Sequence, residues 1–192
     1  MAIELKGICK SYDGKPVLDG VNLILKQGEI ACIMGVSGIG KTTLVNILLG
    51  LTAPDRGEII GLPANISAVF QEDRLLPWET ALSNVLFVKN PARSHVKEAE
   101  ALLSRMGLGD SIYKKAAELS GGMKRRVCIC RALIAGGDLL VLDEPFKGLD
   151  DETKFGVMDM VKAYAKDRYV LCVTHDGAEV EYLGGRLVSW QR

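Results

Sequence analysis

The stretch EIACIMGVSGIGKTT, Glu29 to Thr43, decides how this chain is read, because an apolar run leads directly into a glycine-rich turn and then into a helical pattern. Residues 35–42 fit G-x-x-x-x-G-K-[ST], with Lys41 and Thr42 opening the helical run KTTLVNILLGL. Glycines at 35, 38 and 40 let the backbone wrap closely enough for its N–H groups to point at phosphate oxygens. Lys41 adds a point charge for the terminal phosphates, and the Thr42 hydroxyl is suited to ligate Mg²⁺. Gly35, Ser37, Gly38, Gly40, Lys41, Thr42 and Thr43 are therefore candidate nucleotide contacts. The alternative is an ordinary glycine-rich turn, against which the flanking strand and helix patterns argue.

Upstream, IELKGICKSY and VNLILK read as β-rich segments separated by turn signals such as DGK. Downstream, APDRGE stops the helix and ISAVF reads as a strand. Between residues 79 and 116 the pattern turns helical. In SHVKEAEALLSRMG, Val96, Ala99, Leu102, Leu103 and Met106 form a stripe that Gly107 ends. The runs DLLVLDE and RYVLCVTH hardly alternate, as expected of strands covered on both faces of a parallel sheet, and DETKFGVMDMVKAYAKD supplies a helix between them.

Strand ends in such a sheet line the ligand crevice. Asp143 and Glu144, which close DLLVLDE, are thus candidates to stand near the phosphates: Asp143 beside Mg²⁺, and Glu144 polarising an attacking water. His175 closes the next strand on the same edge, where an imidazole could bond the γ-phosphate. His95 reads as a solvated polar residue at the start of the inserted helix.

With 24 basic and 24 acidic residues in 192, the chain lacks the basic footprint of a general nucleic-acid or membrane-surface binder, so no nucleic-acid partner is expected. The start, MAIELKGICK, interrupts its apolar residues with charges and does not read as a signal peptide. No apolar run approaches the roughly 18 residues of a membrane span. Five cysteines, at 9, 32, 128, 130 and 172, show no paired metal spacing and read as small buried thiols.

In the segment AELSGGMKRRVCICRAL, 117–133, Ser120 is a good N-cap, and Gly121 and Gly122 leave the first helical amides uncovered. Met123, Val127, Cys130 and Ile134 recur at helical spacing as its apolar stripe. The order of Tyr12, the 35–42 loop, Gln71, LSGG at 119–122, Asp143-Glu144, GLD at 148–150 and His175 resembles the ATP-binding subunits of the ABC family across essentially the whole chain. The wording FQEDRLLPW, LSGGMKRRV and DEPFKGLD is similar to the nitrate, sulfonate and taurine importer group.

The resemblance implies an α/β P-loop ATPase core of mostly parallel sheet, with an N-terminal antiparallel β portion. Residues 1–71 and 136–192 would form this core, and 72–135 an inserted helical subdomain carrying the signature. It implies ATP and Mg²⁺ as cofactors, Thr42, Gln71 and Asp143 at the metal, and Lys41, Gln71, Glu144 and His175 in hydrolysis. Tyr12 would stack on adenine. Ser120, Gly121, Gly122 and Asp150 would contact ATP held by a second copy in a head-to-tail dimer. The implied partners are a homologous ATPase subunit, a transmembrane permease and a solute-binding protein, with the chain cytoplasmic at the inner membrane face. The apolar loop at Leu75, Leu76, Pro77 and Trp78 reads either as core of the helical insertion or as a partner surface, and its position after Gln71 makes a permease contact the expectation. Met123 stands where the family usually has Gln, and the stop just after RLVSWQR is expected to argue against a C-terminal regulatory domain. Two other classes stay in view: a soluble relative that remodels nucleic acid or ribosomes, and a module that binds ATP without turnover.

Overall fold

The computed structural model describes residues 2–36, 38–89 and 93–189. Five strands form a parallel sheet in the order β5 (Ile66–Val69), β6 (Leu139–Asp143), β7 (Tyr169–Val173), β3 (Ile30–Met34), β8 (Arg186–Ser189). A separate antiparallel sheet places β1 (Ala2–Tyr12) between β2 (Lys15–Lys26) and β4 (Arg56–Ile60). The mostly parallel core with an antiparallel N-terminal portion is as the sequence led one to expect.

Every residue of β6 and of β7 is buried. Side chains alternate between the two faces of a strand, so such runs demand cover on both sides. One face carries Cys32, Val69, Leu140, Leu142, Val170 and Cys172 into a cluster shared with the helices α2 (Ala81–Leu86), α3 (Arg93–Arg105), α4 (Gly121–Ala135) and α5 (Asp151–Ala165). The other presents Ala31, Ile33, Leu139, Val141, Leu171 and Val173 to α1 (Lys41–Leu48) and to β1 and β2. Each fully buried Leu or Val contributes on the order of 1.5–3 kcal/mol. The chain positions its edge loops from a core packed on two sides.

The helical stretch shares the first of these clusters, so its apolar residues pack with the sheet as well as with each other. Val127, Cys130 and Ile134 are buried on α4 as expected, with Met123 half-buried; Cys128, Ile129 and Ala132 are buried as well. A helix covered by the sheet, α2 and α3 together has apolar residues around most of its circumference. This is why Cys128 and Cys130, two positions apart, are both buried, and why burial pushes the Cys128 thiol up to about 12. Four of the five cysteines are buried and Cys9 is half-buried, all as free thiols. His95 differs from expectation: it is half-buried on α3 and has an interaction partner.

A short helix, α6 (Gly177–Leu183), was not foreseen; Asp176 caps it by accepting from the Ala178 amide at 2.9 Å. Strands β4 and β8 were likewise unforeseen. Gly57 explains part of the pattern at β4: at φ 92°, a Cβ there would lie 2.5 Å from the carbonyl oxygens of Lys6 and Gly7.

The loop before α2 is organised by one buried amide. Asn84 accepts from the Leu76 amide at 2.8 Å and donates to the carbonyls of Leu76 at 3.0 Å, Thr80 at 3.0 Å and Glu79 at 3.3 Å. Removing it would orphan several of these backbone groups. Asn84→Ala is expected to lower the unfolding free energy by about 1–3 kcal/mol, measured by urea denaturation; an unchanged midpoint would mean that water replaces the amide without cost.

Candidate functional site

The four strands β5, β6, β7 and β3 run in parallel, so their carboxyl ends emerge along one edge. From that edge come Gln71, Asp143 with Glu144, His175 and the glycine-rich turn. A cavity of about 290 Å³ there is lined by Val17, Gly38, Gly40, Lys41, Thr42, Thr43, Gln71, Asp143, Glu144 and His175. A larger neighbouring cavity, about 580 Å³, shares Gln71, Glu144 and His175 and adds Lys147, Thr174, Asp176, Gly177 and Glu179.

The turn closes against the β1–β2 hairpin. Gly40 has φ 110°, and a Cβ on it would lie 2.6 Å from Leu18 Cδ2 and 2.9 Å from the Val17 carbonyl oxygen. Only glycine fits that position. The Lys41 ammonium is buried and donates to the carbonyl oxygens of Gly35 at 2.6 Å and Val36 at 3.0 Å. Ser37 lies outside the described residues.

Asp143 is buried at the end of β6, with the Thr42 Oγ1 donating to its Oδ2 at 3.5 Å. Burial, followed by the neighbouring Glu144 charge, raises its pKa above the usual carboxylate value. Glu144 adopts φ 48°, a left-handed conformation costly for a residue with a Cβ, while its amide donates to Val173 O at 2.9 Å. Strain of that kind persists where surroundings overdetermine it. Here Glu144 Oε1 lies 2.7 Å from His175 Nε2, and Oε2 pairs with Lys147 Nζ at 3.3 Å. The carboxylate and the imidazole, read separately from the sequence, are direct partners.

Tyr12 stands exposed at the end of β1, outside the lining of the cavity, with Lys10 Nζ 5.6 Å from its ring centroid. Ser120, Gly121, Gly122 and Asp150 also lie outside it, and gather elsewhere. Ser120 caps α4, its Oγ accepting from the Met123 amide at 3.3 Å. A Cβ on Gly122 would be 3.2 Å from Gly148 O and 3.6 Å from Leu149 Cδ2, so the signature turn abuts GLD. Asp150 caps α5 by accepting from the Thr153 amide at 2.9 Å, and that bond holds its carboxyl below the ordinary range.

Several residues around the site escaped the sequence reading: Val17, Lys147, Thr174, Asp176, Gly177 and Glu179 in the linings, and Arg125 behind them. Arg125, 4% exposed, sends its guanidinium from α4 to the carbonyls of Phe70, Gln71, Asp143, Glu144 and Pro145. A signal was present: Arg125 heads the apolar face Cys128, Ile129 and Ala132, where a charge has to find polar company. Among the described residues no group of three or more His, Cys, Asp or Glu could hold a metal ion by itself.

A glycine-rich loop between a parallel strand and a helix, with an Asp–Glu pair at the end of another strand of the same sheet, one strand removed, defines a P-loop nucleotide-hydrolysing protein. Residues 18–147 match the family model described as ABC transporter. The chain is 40% identical, over its whole length and 79% of the relative's, to the aliphatic sulfonates import ATP-binding protein 1 of Nocardia farcinica. It is 42% identical to that of Corynebacterium glutamicum, over 93% of this chain and 75% of the relative. With the bicarbonate transport ATP-binding protein of Synechocystis it shares 41% identity over 90% of this chain and 66% of the relative. The chain belongs to the ABC transporter family, as one of its ATP-hydrolysing subunits.

Glu179 offers a test of the electrostatics beside the site. It accepts a hydrogen bond from Thr174 Oγ1, and burial, outweighing that bond, raises its pKa. A carboxyl raised in the folded state costs stability above its unfolded pKa, and the cost vanishes once pH falls below that value. Glu179→Gln is therefore expected to raise the thermal midpoint at neutral pH, with the gain disappearing below about pH 4 in a pH series of melts.

Proposed function

We propose that this chain drives solute import by hydrolysing ATP in a head-to-tail dimer, each ATP lying between the phosphate loop of one copy and the Ser120–Gly122 helix start of the other. The observation that carries this reading is a division within the chain. Lys41, Thr42, Gln71, Asp143, Glu144 and His175 line one cavity, whereas Ser120, Gly121, Gly122 and Asp150 form a separate cluster outside it. Ser120 Oγ bonds the Met123 amide, which leaves the Gly121 and Gly122 amides at the positive end of a 15-residue helix to face an anion.

Within the cavity, Lys41 would exchange its loop carbonyls for the terminal phosphates, and the loop amides would cradle them. Thr42 Oγ1 and Asp143 Oδ2, 3.5 Å apart, with the Gln71 amide lining the same space, fit Mg²⁺, which prefers oxygen ligands and relies on phosphates and water for the rest. Bound Mg²⁺ would neutralise charge on the phosphates. Glu144 would polarise the attacking water and take up its proton, and the His175 imidazole 2.7 Å away would keep the carboxylate oriented. Tyr12 would stack on adenine beyond the loop, and Asp150 would answer to the partner copy.

Residues 1–71 and 136–192 are proposed as the nucleotide-binding core and 72–135 as the helical part that meets a transmembrane permease. No helix among the described residues is long and apolar enough to cross a membrane. A contact surface is available in the helical part: Trp78 is 66% exposed and Phe87 74%, while Leu75 and Leu76 are half-buried beneath the loop. Backbone bonds from Ala81 to Lys114 and from Ala117 to Pro77 bring the exposed Tyr113 segment alongside. The names of the relatives support import of a small anion such as an aliphatic sulfonate, delivered by a solute-binding protein, with the ATPase on the cytoplasmic face.

Glu144→Gln should retain ATP binding, stall hydrolysis and accumulate an ATP-dependent dimer in light scattering; a strictly monomeric variant at saturating ATP would sink the sandwich. Trp78→Ala should leave ATP affinity unchanged while reducing the amount of chain that co-purifies with its membrane partner. Loss of ATP affinity instead would remove Trp78 from the contact surface.

A further inference from the structure

We propose that Arg125 is a positioning residue for hydrolysis: its guanidinium sets the backbone that aims Glu144 and Gln71, and ties both to the helix that begins with the signature turn. The inference rests on the reading of Glu144 and Gln71 as hydrolysis residues, and deepens it.

The geometry is a single planar fork serving two strand ends. Nη2 donates to Asp143 O at 2.9 Å and Glu144 O at 2.5 Å, and Nε to Pro145 O at 3.1 Å. Nη1 donates to Phe70 O at 2.6 Å, to Gln71 O at 3.3 Å and to Asp73 Oδ1 at 3.4 Å. Three consecutive carbonyls at the end of β6 converge on it because Glu144, at φ 48°, turns the chain out of the strand conformation, and oxygens turned that way lose the sheet as a partner. Arg125 replaces that partner. Holding those three peptide planes fixes the Cα–Cβ direction of Glu144, and hence the carboxylate that meets His175 at 2.7 Å.

A buried cation satisfied mainly by carbonyl dipoles is a poor device for stability alone, since an apolar side chain would avoid the desolvation cost. Its one carboxylate partner, Asp73, is a third exposed and at the long end of hydrogen-bond range. The value of the arrangement lies in its directionality. Five N–H donors in a rigid plane can bind two backbone segments at once, which an ammonium on a flexible stem cannot.

The same face of α4 continues the hold on the loop after β5. Cys128 Sγ donates to Asp73 O at 2.8 Å, and Arg131 donates to Asp73 O at 3.2 Å and Arg74 O at 2.9 Å. Arg125, Cys128 and Arg131 are spaced three apart, so they stack along one side of the helix. Only Arg125 reaches both loops. A displacement of α4 at its Ser120 end is thereby passed to Glu144 and Gln71 through one side chain, a little more than one turn away.

The test compares steady-state ATP hydrolysis, ATP affinity and melting for the whole chain carrying Arg125→Gln, Arg125→Lys, Arg131→Gln, Glu144→Gln and the double variant Arg125→Gln/Glu144→Gln. Arg125→Gln and Arg125→Lys should each lower kcat by about tenfold or more with ATP affinity within about twofold, the pattern of a misaimed catalytic group. Arg131→Gln, which loosens only Asp73 and Arg74, should keep kcat within about twofold. In single turnover, adding Arg125→Gln to Glu144→Gln should slow the residual reaction clearly less than the tenfold lost in the wild-type background, because only Gln71 is then left to aim. Full activity in Arg125→Lys, or an undiminished tenfold loss in the double variant, would overturn the proposal. If Arg125→Gln does not fold, Arg125→Lys alone and combined with Glu144→Gln carries the same comparison. Wild-type turnover by Glu144→Gln alone would instead bring down the reading underneath.

Discussion

Parallel pairing of β5, β6, β7 and β3 is the constraint on which the molecule depends. It sends four loops out of one edge of the sheet in the spatial order Gln71, Asp143–Glu144, His175, phosphate loop, although in sequence the phosphate loop comes first. Parallel strands need long crossovers, and here α1, α4 and α5 supply them while covering the sheet on both faces. The fully buried strands provide the apolar energy, and the edge carries the chemistry. The left-handed Glu144, the buried Asp143 and the enclosed Lys41 meet at that edge.

Charge at the edge is organised in contacts rather than by the chain as a whole. With equal numbers of acids and bases, the net field is near zero, and each ionised group answers to neighbours a few ångströms away. Asp143 and Glu144, adjacent in sequence, are separated in role by their surroundings. The first is buried against Thr42, whereas the second reaches outward to His175 and Lys147. Both backbone carbonyls nevertheless meet the same guanidinium from α4.

Much of this was legible in the sequence because several of its signals are local and physically obligatory. A turn that must bring amides to phosphate needs glycine where Gly40 stands, and strands buried on both faces need continuous apolar runs such as those of β6 and β7. Harder to read were elements whose character depends on a distant neighbour. Strand β4 is mostly exposed and begins within a Pro- and Gly-containing stop signal, so its pairing with β1 left no periodic trace. Strand β8 has only four residues at an edge, and α6 is a helix of seven. The His175–Glu144 contact and the six-fold role of Arg125 join residues 31 and up to 55 positions apart; composition does not encode such meetings. Gathering Ser120–Gly122 against Gly148 and Leu149, away from the cavity, is likewise a product of the packing of α4 and α5.

The amide of Asn84 has a consequence beyond the loop it braces. Trp78 lies between Leu76 and Thr80, whose backbones are pinned by a side chain with only 1% of its surface accessible. The indole is thus presented on a stiff arch, its freedom already surrendered during folding. A protein that takes up this tryptophan forgoes most of the entropic toll of quieting a floppy loop, so a small patch can yield durable attachment.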